Sequence, residues 1–497
     1  MRGPKRFVSN ISILTGLAKV TLGLSLGLVS SCALDDGRAP NDIVDPSVND
    51  DTQASADGDD VTSAAVCTKG PIRCLAHVRT TRAGARLGMR AAAAAATPSG
   101  LGAQDLQSAY KIDPSRTATS KPTVAIIDAY GYSTLEADLA VYRSQYGLPP
   151  CTVASGCLKI VNQRGATTPL PSNPPAEDDW RVETALDIDM VSAACPLCNI
   201  LVIQADDPQG TGLLIAQNTA ADLGATVISD SWGGIEQSAD IVAQLEAFFE
   251  HPGIAIFVAA GDDGFNDQLS TLGTGPSYPG TSAHVIAVGA TRLVRDTTTA
   301  RGWRETTWAP VPGNPAQGAG GSACSLVVDK PAYQTASPCA KKATTDIAAV
   351  GDPASGVAVY TSAAANMGGW ITLGGTSASA PFVAAIFAAT GNGNQSSGAF
   401  IAANTSKLYD VTSGTNGTCA GKTLLCTAAV GWDGPTGFGT PNATAFMPAA
   451  TGSNGGGGGD GGDLSGGCSS GGAGAGGGSL VTLVLLGSRR RRAGGTT

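Results

Sequence analysis

The 497-residue sequence predicts an α/β fold: a doubly wound, mainly parallel sheet with helices on both faces. Unbroken apolar runs recur along the chain, and helix-length segments separate them. Strands covered on both faces read as continuous apolar runs, and parallel strands need crossover helices between them. Charged residues make up only 14% of the chain, which suits a large buried interior. The expected strands are Thr123–Asp128, Asn199–Ile203, Thr226–Ser231, Gly253–Ala260, Val285–Val288 and Val357–Thr361. Helices are expected over Leu135–Tyr146, Trp180–Ala194, Leu213–Leu223 and Ile241–Glu250.

Taken in chain order, residues 1–32 read as an export signal. Arg2, Lys5 and Arg6 precede an apolar run from Val20 to Val29. The run ends in Leu28-Val29-Ser30-Ser31-Cys32, which resembles a bacterial lipobox and implies lipidation of Cys32. Residues 33–96 are an acidic tether, Asp35 to Asp60, followed by a short Cys-containing prosegment. Residues 97–450 form the one large domain. Residues 451–478 are a Gly-rich linker, and residues 479–497 combine the apolar Leu480–Leu486 with Arg489–Arg492. With Gly467-Cys468-Ser469 before it, that end resembles the Cys–helix–Arg sorting tails of some secreted bacterial proteins. The chain is therefore expected outside the cytoplasm, secreted or at a bacterial cell surface, outer membrane included. Membrane attachment would run through the lipid or the tail. A net charge of −9 argues against a nucleic-acid partner.

Ten of the cysteines fall in near-neighbour pairs, which in an exported chain read as disulfides: Cys67–Cys74, Cys151–Cys157, Cys195–Cys198, Cys324–Cys339 and Cys419–Cys426. Cys195-Pro-Leu-Cys198 could also be a redox or zinc motif, but it follows a helix rather than opening one, and no second C-x-x-C accompanies it.

The chemistry concentrates at Gly374-Gly-Thr-Ser377-Ala-Ser-Ala-Pro381. An apolar strand, Trp370–Leu373, precedes it and a small-residue helix, Ala378–Thr390, follows. Ser377 thus sits at a strand-to-helix turn, where free N–H groups and the helix dipole favour an anionic intermediate. A nucleophilic serine needs a base. The three histidines, His77, His251 and His284, lack the H-G-T-H-V setting in which subtilisins carry theirs. Glu183 and Asp187 offer a carboxylate alternative. Spaced i,i+4, they share a helix face beside Val182, Leu186 and Met190 and should be partly desolvated. Asp189 faces elsewhere. Asp262, in Gly261-Asp-Asp-Gly264 after an apolar strand, stands where subtilisins carry an oxyanion-binding Asn; an Asp donates there only when protonated. Asp128 ends the first strand and is expected either in a proton network behind the site or as a structural group.

These three stretches, Glu183-Thr-Ala-Leu-Asp187-Ile-Asp189, Val258-Ala-Ala-Gly-Asp262-Asp-Gly264 and the Ser377 octapeptide, resemble the sedolisins, or serine-carboxyl peptidases, which have a subtilisin-like fold. The resemblance runs from about Thr97 to Phe446. It implies a serine-type endopeptidase working in acid, with Ser377 as nucleophile, Glu183 as base, Asp187 as its partner and Asp262 as oxyanion donor. It also implies that Ser231-Trp232-Gly233 lines the substrate cleft. One structural calcium ion would be held by the carboxylates of Asp410 and Asp433 and the carbonyls of Val411, Ala429 and Gly431, oxygen ligands of the type calcium takes. The expected partners are protein or peptide substrates, and the expected state is a monomer. A catalytically silent surface protein that only binds in the cleft is the rival reading. Retention of all four polar residues argues against it.

Overall fold

The computed structural model describes residues 61–81, 98–175, 178–271, 273–362 and 368–448, all in one compact unit that begins at Asp59. The expected export signal with Cys32, the expected acidic tether and Gly-rich linker, the Ala-rich run and the Arg-rich end lie outside the described residues.

An eight-stranded sheet forms the centre. Its order is Trp303–Thr307, Ile286–Arg295, Ala255–Ala259, Val227–Asp230, Thr123–Ala129, Asn199–Ala205, Leu158–Asn162, and Ile347–Val350 also pairs with Ile286–Arg295. Every pairing is parallel except that of Trp303–Thr307. The central strand shows why its sequence is apolar throughout. Val124 and Ile126 enter the core on one face, and Ala125 and Ile127 enter the core on the other. Helices Ala103–Tyr110, Trp180–Ala194 and Thr376–Ala389 cover the first face, and Gly212–Asp222 and Ala239–Leu245 cover the second.

The structure departs from the expected elements in instructive places. Val357–Thr361 is a strand, but not of the parallel sheet. It pairs antiparallel with Gly369–Gly374 in a separate four-stranded sheet completed by Val61–Ala65 and His77–Thr81. The run Thr226–Ser231 stops at Asp230, and Trp232–Ile235 forms its own short strand. Helix Ile241–Glu250 is instead Ala239–Leu245 followed by a 3₁₀ turn, Glu246–Phe248. Three strands gave no apolar signal of sufficient length. Leu158–Asn162 is an edge strand with Lys159 exposed, Trp303–Thr307 alternates with Arg304 and Thr306, and Ile347–Val350 has four residues. All five expected disulfides are present.

Candidate active site

Ser377 is placed by the end of one strand and the start of one helix. Strand Gly369–Gly374 runs out against Gly351 and Pro353, and a Cβ on Gly374 would lie 2.6 Å from the Pro353 nitrogen. Gly375 then takes φ 105°, a conformation that side chains resist, and helix Thr376–Ala389 begins. Ser377 stands in its first turn, so its N–H has no partner within the helix. Its hydroxyl donates to the Ser231 carbonyl at 3.2 Å.

Glu183 and Asp187 come from helix Trp180–Ala194, capped by the Asp179 side chain, which accepts from the Arg181 N–H. Partial desolvation was expected of the pair, but the structure buries both completely. The helix packs against the sheet and against helices Ala103–Tyr110, Leu135–Gln145 and Thr376–Ala389, and all of its residues except Arg181 are buried. Burial pushes the Glu183 carboxyl well above its usual range; Asp128 adds to the rise, and Ser377 and Asp187 pull it partly back. Asp187 is raised by burial, Asp128 and Glu183, and its Oδ1 accepts from the Ser231 hydroxyl at 2.8 Å. Asp128 itself is fully buried and pushed up to about 7, mainly by burial. Three carboxyls therefore share one dry compartment behind Ser377 and resist ionising together. Asp189 points away and accepts from the Tyr360 N–H at 3.0 Å.

Asp262 follows strand Ala255–Ala259. Its Oδ1 accepts from the Thr376 N–H at 2.8 Å and the Thr376 hydroxyl at 2.7 Å. Burial, the largest effect, holds this carboxyl well above its usual range against those two bonds, which favours its protonated form. With Oδ1 accepting twice, the proton belongs on Oδ2, which makes no hydrogen bond among the described residues. A Cβ on Gly375 would lie 2.9 Å from that oxygen.

Sequence reasoning missed the occupant of the cleft. Residues Arg73 and Cys74 of the N-terminal segment pair antiparallel with Gly233 and Trp232, and Trp232 is anchored by its indole N–H on the Ile127 carbonyl at 3.0 Å. The Leu75 N–H donates to the Ser231 carbonyl at 3.0 Å, and the Ser377 N–H donates to the Leu75 carbonyl at 3.1 Å. His77 is buried with its Nε2 3.7 Å from Asp262 Oδ2 and its ring edge-on to Trp308. Burial pushes it down to about 4, so it is neutral through most of the acid range. His251 and His284 lie elsewhere, the latter beside Glu246.

The two expected calcium loops do meet. The Gly431 N–H donates to Asp410 Oδ2 at 2.9 Å and the Ala429 N–H to Asp433 Oδ2 at 3.0 Å. Asp433 is fully buried and pushed up to about 7 by burial, with Asp410 adding to the rise. A hard divalent cation beside these oxygens would hold Asp433 ionised, so the donor set fits one. Among the described residues no three His, Cys, Asp or Glu side chains form a metal-binding group, so the peptide oxygens of Val411, Ala429 and Gly431 would have to supply much of the coordination.

Comparison with known proteins agrees with this geometry. Residues 180–439 match the subtilase family, Peptidase S8. Kumamolisin from Bacillus sp. (strain MN-32) is 32% identical over 372 residues, covering 70% of this chain. The chain spans 63% of the length of that relative. Among solved structures, the Pseudomonas sedolisin, a serine-carboxyl proteinase complexed with two molecules of pseudo-iodotyrostatin, superposes with TM-score 0.57 at 26% identity, covering 70% of this chain and 97% of that one. The fold, the family match and the likeness to these two proteins agree: the chain belongs to the subtilase family, in its sedolisin branch.

Proposed function

We propose that the protein is a serine-carboxyl endopeptidase that hydrolyses peptide bonds in acid, with Ser377, Glu183 and Asp187 as the reacting group and Asp262 as oxyanion donor. The observation that carries this reading is the convergence of three buried carboxyls, Glu183, Asp187 and Asp262, each raised by burial, on a serine in the first turn of a helix. Glu183, ionised while Asp187 or Asp128 holds the shared proton, takes the proton of the Ser377 hydroxyl. The oxygen attacks the scissile carbonyl carbon. The Ser377 N–H and the Asp262 Oδ2–H hold the developing oxyanion, a type of contact worth roughly 3–4 kcal/mol per donor. Glu183 then gives its proton to the departing amine, and a water hydrolyses the acyl-enzyme by the same steps in reverse. Asp187 keeps Glu183 in place and is itself oriented by Ser231.

The same proposal includes export and attachment at a bacterial surface. Five disulfides support an oxidising compartment. The lipobox-like Cys32 and the Arg-rich tail supply the means of attachment. A calcium ion between the Asp410 and Asp433 loops would have a structural role.

The test is labelling by a fluorophosphonate at about pH 4 together with hydrolysis of a denatured protein. Wild type is expected to label on Ser377 and to cleave. Ser377→Ala should do neither while keeping its circular dichroism and melting temperature. A folded wild-type protein that neither labels nor cleaves would instead support the silent binding protein.

A further inference from the structure

The extended segment beside Ser377 shows how this cleft holds a main chain, and its two edges are held differently. Leu75 marks the register, since its carbonyl accepts the Ser377 N–H at 3.1 Å. Counting upstream from Leu75 as the first residue, Arg73 is the third and Ile72 the fourth. The first and third face one edge: the Leu75 N–H bonds the Ser231 carbonyl at 3.0 Å, and Arg73 pairs with Gly233. Peptide groups alternate along an extended chain, so the fourth residue turns to the opposite edge. Among the described residues no strand pairs with that edge. A side chain takes its place. Gln209 Nε2 donates to the Ile72 carbonyl at 2.9 Å, and the Ile72 N–H makes a longer bond of 3.5 Å to Gln209 Oε1. A primary amide carries the donor and the acceptor of a peptide group, so Gln209 stands in for one residue of a neighbouring strand. The Ile72 side chain lies against Gly234, where a Cβ would come 2.9 Å from its Cδ1, and both bonds from the amide go to backbone. Gln209 is held in place by its own loop, between strand Asn199–Ala205 and helix Gly212–Asp222. Asp207 Oδ1 accepts the N–H groups of Gln209 at 2.8 Å and of Gly210 at 2.7 Å. Gln163 accepts the Asp206 N–H at 2.8 Å and donates to the Asp206 carboxylate at 3.0 Å. None of these four bonds involves the segment that Gln209 grips.

We propose that Gln209 is a substrate-binding residue: its side-chain amide holds the backbone of the fourth residue upstream of the scissile bond in an added peptide, whatever side chain that residue carries. The inference rests on the peptidase reading above. It makes the substrate an extended, unfolded stretch with at least four residues before the cut. One edge of that stretch lies along Ser231, Trp232 and Gly233, and the other reaches Gln209.

The experiment compares three peptides on the full chain at about pH 4. The first begins Arg-Ala-Leu before the cut, and the second adds an acetylated glycine as the fourth residue. The third carries a thioamide in place of that glycine's carbonyl, and sulfur accepts hydrogen bonds poorly. Adding the glycine should raise kcat/KM roughly three- to tenfold in wild type and less than about twofold in Gln209→Leu. The N-terminal segment competes with all three peptides alike, so it cancels from the ratios within one protein. The thioamide should remove most of the gain in wild type and change nothing in Gln209→Leu. An equal gain in wild type and in folded Gln209→Leu overturns the proposal, and so does a wild type that gains nothing from the glycine. A thioamide peptide cleaved as fast as its amide by wild type also overturns it, and that result needs no variant. A preparation that takes a fluorophosphonate label on Ser377 yet hydrolyses none of the peptides overturns this proposal alone. One that neither labels nor hydrolyses overturns the peptidase reading itself, and this proposal with it.

Discussion

The carboxyl of Asp262 accepts two hydrogen bonds on one oxygen and makes none on the other, so its usefulness turns on a proton. Its raised pKa keeps that proton in acid; ionised, it would face a developing anion with a like charge. Asn donates at every pH. Asp262→Asn should therefore lose some rate in acid yet hold a larger fraction of it as pH rises, and kcat/KM profiles of both proteins on one peptide check this. Parallel loss of activity in the two profiles would remove Asp262 from the oxyanion role. His77 titrates in the opposite sense. Its pKa is near 6.5 when free and about 4 when docked, because the buried ring cannot carry a charge cheaply. Between those values the undocked segment binds the extra proton, so docking weakens as pH falls, by about 3 kcal/mol in full. Burial also raises the Asp262 carboxyl beside His77, which weakens its ability to hold a charged ring there. Hydrogen exchange over residues 73–81 in Ser377→Ala, corrected for intrinsic rates, should rise on acidification, and His77→Gln should flatten the response.

At the scale of elements, the loops around Asp410 and Asp433 make the clearest prediction. They are joined by the Gly431 N–H bond to Asp410, while the Ala429 N–H bond to Asp433 closes the second loop on itself, and burial raises the Asp433 carboxyl to about 7. Binding to the folded state alone adds stability by mass action, so a chelator should lower the melting temperature of wild type, and Asp433→Ala should lose most of that shift. An equal shift in both would reject the site. Legibility followed the same lines. The strand over Thr123–Ala129 and the helix over Trp180–Ala194 could be read because residues covered on every side must be apolar, whatever their partners. The Glu183–Asp187 spacing and the glycine turn before Ser377 are local facts, so they were readable too. What could not be read was long-range pairing. Nothing in Val357–Thr361 says that it leaves the parallel sheet for an antiparallel one, since a strand buried on both faces looks the same in either. Nor does His77-Val78 announce that it will lie beside Gly374 and Leu373, nearly three hundred residues away.

The molecule as a whole buries many carboxyls whose pKa values rise on folding. Asp128, Asp189, Asp230, Asp262 and Asp346 are all buried and raised by that burial, and Asp267 reaches about 8. A carboxyl raised on folding is protonated in the native state while it is ionised in the unfolded one. The native state then binds more protons between the two pKa values, and stability falls as pH rises through that window. The melting temperature of full-length Ser377→Ala should accordingly drop between about pH 5 and about pH 8, the reverse of an enzyme built on ionised surface pairs. Glu305 sets the other limit. Burial raises it, but Arg301 and the hydroxyls of Thr440, Tyr110 and Thr291 outweigh that and hold it ionised, tying the edge of the sheet to the first helix and the last strand. Its protonation should bring stability down again at the acid extreme. The ladder between Val61–Ala65 and His77–Thr81 has a consequence for competition. The segment at Ser377 and the site it covers belong to one chain, so its return after undocking is first order and should not change on dilution. A tether of this kind acts as an effective concentration of order millimolar. An added peptide must outcompete it, so peptide binding should weaken by the same factor at every concentration of the protein.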